Sequence, residues 1–179
     1  MKGIVQLTVP VITALLVLIS QDAAAVSQKF FDGLTAFDNG KYCDAKDIWK
    51  REVDRQDGAS AFGLGELYSR GLCVDESQHK AARWYLQSAL WGYARGRAEM
   101  GIRYAYGKGV EADFVKSYVW LTLAKRTLSN WDAQTLDAVS KNLGIMTERL
   151  TPAGRAAGDR VVEKFEKTYQ MPDDYCIAQ

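Results

Sequence analysis

The residues of this chain best suited to chemistry are a lysine set between glycines, a single histidine, three cysteines and two pairs of neighbouring carboxylates. Gly107-Lys108-Gly109-Val110 has the look of a phosphate loop. Such a loop needs G-x-x-x-x-G-K-[ST] after a β-strand, so that backbone N–H groups cradle the phosphates and a hydroxyl reaches the metal. Here no Ser or Thr follows Lys108, the preceding segment has helical periodicity, and a similar turn occurs earlier without a lysine. The stretch is therefore read as a corner between helices. His79 would serve as a general base or a metal ligand. A triad also needs a nucleophile and an orienting acid, and a zinc site needs several His or Cys ligands. As the one histidine of the chain it is read as structural. Asp173-Asp174 and Asp75-Glu76 are acid/base candidates only in the weakest sense. The second pair sits in a turn, where acids help to cap the next helix. The sequence predicts no catalytic residue, no metal site and no cofactor.

The chain begins with a segment that is set apart from the fold. Residues 1–25 carry Lys2, an apolar run from Val9 to Ile19, and Ala23-Ala24-Ala25. That is the layout of a secretory signal peptide cleaved after Ala25. A membrane span would need about 20 clean apolar residues, and Pro10 and Thr13 interrupt a shorter run. The remainder is long enough for one domain with a core. The formal net charge of the chain is +1, which argues against a nucleic-acid binder with its basic stripe. The expected location is the exported side, periplasmic or secreted, with no membrane insertion once the leader is removed.

Sliding the sequence against itself reveals what must position these residues. At an offset of 36, Gly65, Tyr68, Gly71, Val74 and Trp84 fall on Gly101, Tyr104, Gly107, Val110 and Trp120. A shorter, earlier copy carries Gly40, Ala45 and Trp49. Each unit reads as two helices. Ala94, Ala98, Gly101 and Tyr104 lie at helical spacing, with small residues where another helix must come close. Gly107 ends that helix in a left-handed conformation, Gly109 lets the chain reverse, and Asp113 caps the next helix. Tyr68, Tyr104, Trp84 and Trp120 are expected as core wedges between helices. Near the C-terminus, Thr151 and Pro152 mark another helix start.

The segments "GELYSRGLCVDESQHKAARWYLQSALWG" and "GIRYAYGKGVEADFVKSYVWLTLA" resemble Sel1-like repeats, relatives of the tetratricopeptide repeat. The resemblance covers residues 30–128, and the sequence departs from the pattern where Met100 precedes Gly101 and where Cys73 stands in place of Gly109. It implies an all-α fold: a short α-solenoid of helix-turn-helix repeats over 26–128, C-terminal capping helices over 129–170, and an irregular tail at 171–179. Family members scaffold complexes, regulate signalling and sometimes neutralise toxic effectors.

Cys43, Cys73 and Cys176 allow three pairings in an oxidising compartment. Stacked repeats place equivalent turns along one edge, which favours Cys43 with Cys73. Cys176 paired with either one, or three free thiols, are the alternatives. Positions that differ between copies are expected to recognise a partner. In register these are Glu66/Ile102, Leu67/Arg103 and Arg70/Tyr106, a strip on successive first helices. The expected function is an exported, non-enzymatic adaptor that binds a protein or peptide in the cell envelope through its concave face. An immunity protein against a secreted toxin is an alternative within that class. An enzyme or binder acting on cell-wall-type ligands, or a purely structural element, would be alternatives of another class.

Overall fold

The computed structural model of the chain describes residues 27–128 and 132–168. The expected leader, the tail and Cys176 lie outside the described residues.

Short polar caps and glycines punctuate the chain into eight α-helices among the described residues. The Ser27 hydroxyl accepts from the Phe30 N–H and starts α1 (Gln28–Asp38). Gly40, at φ 74°, turns the chain into α2 (Tyr42–Glu52). A 3₁₀ turn, Val53–Arg55, leads to Asp57, whose carboxylate accepts from the Ala59 and Ser60 N–H groups and opens α3 (Gly58–Arg70). Gly71 closes α3 in the left-handed region, and α4 (Gln78–Leu90) follows. α5 (Ala94–Tyr106) ends the same way at Gly107, φ 68°. The Asp113 carboxylate accepts from Lys116 N–H at 2.9 Å and opens α6 (Phe114–Thr127), as its place in the sequence predicts. The acids at 75 and 76 do not do this for α4. They are exposed, and the cap is the Ser77 hydroxyl, because Ser77 occupies the residue before the first helical one. α7 (Ala133–Arg149) and α8 (Pro152–Thr168) complete the described residues, with the Thr151 hydroxyl accepting from Gly154 N–H.

Matched glycines let the two helices of each unit meet. A Cβ on Gly65 would lie 2.6 Å from the Tyr85 ring, and one on Gly101 would lie 2.5 Å from Leu121. Three residues at one register, Ala45, Ala81 and Ser117, are fully buried. In that register Trp49 stands where Tyr85 and Leu121 stand later, and it packs against Gly33 and Gly63. Burying a large side chain of this kind contributes about 1.5–3 kcal/mol.

Successive first helices, α1, α3, α5 and α7, touch one another, while α2, α4 and α6 stand further apart. The array therefore curves with its first helices on the concave side. α8 breaks the pattern by packing chiefly on α6. Gly158 makes this possible, since a Cβ there would lie 2.8 Å from the Tyr118 ring. The Tyr118 hydroxyl donates to Asp159 at 2.7 Å, and Arg126 pairs with Glu166 at 2.5 Å. Val162 and Phe165 join the apolar cluster of Trp120, which is 0% exposed. Tyr68 and Trp84, expected in the core with Tyr104 and Trp120, are only half-buried; Tyr68 packs at the edge of the Trp120 cluster, and Trp84 lies outside it. Among the described residues no helix is long and apolar enough to cross a membrane.

Candidate partner-binding face

The concave side carries an aromatic groove of about 300 Å³. α1 supplies Phe31, Leu34 and Phe37 at the spacing that puts them on one helix face. α3 adds Phe62, and Tyr93 enters from the residue that precedes α5. Trp49 lies beneath, its indole N–H donating to the Phe30 carbonyl at 3.2 Å. The rings brace one another edge to face: Phe62 with Tyr93 at 5.6 Å between centroids, and Phe37 with Tyr42 at 5.3 Å. Such pairs contribute about 0.5–1.5 kcal/mol beyond the area they bury. Phe31 remains 48% exposed. A mostly apolar concavity with few polar groups at its edge is what a binding site for an apolar side chain looks like.

Charges mark the rim. Glu66 lines the groove and accepts from the Tyr85 hydroxyl at 2.5 Å. Burial first, and then that carboxylate, push the Tyr85 phenol well up, so it stays a donor. Arg70 lies over the Phe37 ring at 5.4 Å. Arg95, also lining the groove, donates to Asp132 at 2.8 Å. This hydrogen bond holds the Asp132 carboxyl below its ordinary range.

The expected strip on the first helices divides. Glu66 and Arg70 flank the aromatic groove. Ile102 is half-buried on α5, and Tyr106 is 62% exposed, its hydroxyl 3.4 Å from Asn142 on α7. Arg103 does not belong to an exposed strip at all. It is 1% exposed, and Leu67, its counterpart one unit earlier, is fully buried as well. The guanidinium lies 4.5 Å from the centre of the Tyr85 ring, over its face. It donates to Gln78 Oε1 at 3.2 Å, to the Lys108 carbonyl at 3.0 Å and to Ser69 Oγ at 3.1 Å, and it pairs with Glu99 at 3.1 Å. This position varies between copies because Arg replaces Leu in the interior. Its partners tie α3, α4 and the following turn together. Burial pushes the Glu99 carboxyl up against the pull of Arg103.

His79 is exposed, its Nδ1 3.4 Å from the Gly109 carbonyl oxygen. Among the described residues no three His, Cys, Asp or Glu side chains converge as metal ligands. Cys43 and Cys73 are bridged, their Cα atoms 5.2 Å apart, within the usual span of a disulfide. The α1 aromatics were not singled out from the sequence. Their signal was Phe30, Phe31, Leu34 and Phe37 at helical spacing, in a segment with no counterpart in the 36-residue register.

The Sel1 repeat family model matches residues 58–92 and 94–126. No curated protein matches the chain significantly. One similar solved structure is a protective antigen present in uropathogenic Escherichia coli strains, which displays an SLR fold. It is 21% identical, has a TM-score of 0.68, and the match covers 84% of this chain. The chain spans about a third of that antigen, 32% of its length, and the likeness is one of fold. Sel1 repeats generally mediate protein–protein interaction, and scaffolds built from them are typically non-enzymatic. With two units that match the Sel1 repeat between a shorter first pair and two closing helices, the described residues form an all-α solenoid of Sel1-like helix pairs.

Proposed function

We propose that the protein is an exported, non-enzymatic adaptor that holds a protein or peptide partner in the cell envelope on its concave face. The observation that carries this reading is the aromatic groove, which exposes Phe31, is lined by the Glu66 carboxylate and has the Arg70 cation over its Phe37 ring. Aromatic side chains that stand in a concavity with charges around them are the usual anchors of an interface. Ile102 and Tyr106 extend the contact along α5. Arg103 acts beneath them, by fixing the helices. The layout of residues 1–25 and the bridged pair Cys43–Cys73 support export.

Affinity capture from envelope extracts tests the face. Phe31→Asp should lose the partner while the thermal midpoint is unchanged, because Phe31 is half in solvent. Tyr106→Ala should weaken capture less. Full retention of the same partner by Phe31→Asp would remove the groove from consideration. Cell fractionation with N-terminal sequencing tests export: the expected mature chain begins at Val26, outside the cytoplasm.

A further inference from the structure

The wide spacing of the second helices leaves a groove between each neighbouring pair on the convex side, and the two grooves can be compared position by position. Between α4 and α6 the floor is Trp120, and the sides include Leu86, Ala89 and Leu90, all in one apolar cluster with Phe165. Phe165 of α8 closes this groove. Its ring lies 5.3 Å from the Arg97 guanidinium, which donates to the Ala89 carbonyl on α4 and to the Thr127 hydroxyl on α6. Glu166, the next residue, pairs with Arg126. An aromatic anchor followed by an acid, both on a helix, is what fits here.

One repeat earlier, between α2 and α4, the groove is open and measures about 560 Å³. Trp84 takes the place of Trp120 as its floor. In the same register Lys50, Val53 and Asp54 stand where Leu86, Ala89 and Leu90 stand, and Arg51 stands where Gln87 does. On the α4 side, the adjoining hollow around Trp84 adds Lys80 and Arg83. Cations thus outnumber the two acids of the groove, Asp47 and Asp54.

We propose that this Trp84 groove is a second docking surface, and that its occupant is an acidic amphipathic helix of a partner protein. The helix seats one aromatic side chain on Trp84, as α8 seats Phe165 in the apolar cluster of Trp120. Acids beside that anchor meet Lys50, Arg51 and Arg83, as Glu166 meets Arg126. The charged rim keeps the open groove in water when the partner is absent, a state that the Leu86 and Leu90 sides of the closed groove would not tolerate. Two faces, one concave and aromatic and one convex and basic, let the solenoid hold two partners at once.

The test uses ¹⁵N-labelled protein and a synthetic peptide with the sequence of residues 152–168 in which Arg160, Lys164 and Lys167 are each replaced by Glu. The readout is the indole N–H resonances of the protein, that of Trp84 being assigned with Trp84→Phe. Saturable movement of the Trp84 signal is expected. It should weaken by about tenfold or more in Lys50→Glu/Arg51→Glu, whose side chains are exposed and carry no core packing. A peptide with Ser in place of its phenylalanine should bind as poorly. An unmoved Trp84 signal, or binding indifferent to the charge reversal, overturns the proposal. So does sedimentation showing that the groove is covered by a second copy of the chain.

Discussion

Cys73 holds a left-handed backbone, φ 61°, at the position where Gly109 holds the same conformation, φ 74°, one repeat later. The partners of the two residues correspond as well. Cys43 bonds Cys73, and His79, in the register of Cys43, lies against the Gly109 carbonyl. The junction between neighbouring units is therefore built twice, once as a covalent bridge and once as a close approach of backbones. Each version makes its own demand on the residue in the turn.

For the covalent version, Cys43→Ser/Cys73→Ser should lower stability by about 3–4 kcal/mol, the value for closing a loop of this length. Denaturant unfolding measures it. Cys43→Ser/Cys73→Gly should recover about 1 kcal/mol of that loss, since glycine adopts the left-handed region without strain. Non-reducing peptide mapping should give a Cys43–Cys73 crosslinked peptide. A crosslinked peptide containing Cys176 would contradict it.

For the backbone version, Gly109→Ala should be among the costliest single changes in the chain. Its Cβ would lie 2.0 Å from the Gln78 carbonyl oxygen, in addition to the positive φ. A loss of about 3 kcal/mol is expected. Gly40→Ala is the control: the φ is the same, but nothing lies within 4 Å, and about 1 kcal/mol is expected. Equal losses at the two sites would show that the approach to α4 does not matter.

Arg103→Leu restores the residue type of the matching position, Leu67, yet it should destabilise by about 3 kcal/mol, because Glu99 loses its cation. Adding Glu99→Gln should return more than about 1 kcal/mol, read as the coupling in a double-mutant cycle. A strictly additive pair would mean that the two side chains do not sense each other.

Asp132 sets a pH limb. Its carboxyl titrates lower in the folded chain than in the unfolded one, through the Arg95 hydrogen bond. The folded state thus prefers the charged form. Its contribution is complete above the unfolded value of about 3.9 and fades as pH falls through the depressed folded value. Arg95 is 45% exposed, so about 1 kcal/mol is expected. Asp132→Asn should lose this at neutral pH and flatten the acid limb in urea titrations below pH 4. An unchanged limb would place the acid sensitivity elsewhere.

The repeat, its helix corners and its caps were legible because identical residues do identical work. Gly65 and Gly101 admit a close second helix, Gly107 stops one, and Asp113 starts another, each through local geometry that a short stretch of sequence carries in full. What the face presents was less legible. Comparing copies cannot tell an exposed variable position from an interior exchange, so Arg103 looked like an anchor although it lies under the surface. Trp84 and Trp120 are the same residue in the same register, and their different burial depends on α8, a long way further along the chain. The α1 aromatics had no second copy to be compared with, and their groove exists only once α3 and Tyr93 fold beside them.

The seating of α8 on α6 has a bearing on how such a chain changes length. The closing helix covers only the last groove, between α4 and α6, and leaves the one before it open. A further 36-residue block, spliced between Gly92 and Tyr93, would leave the terminal seal intact. It would add one more groove on the convex side, whose character is set by the residues that the block carries. The length of the array is thus open to gene duplication, while the seal on its last groove is not.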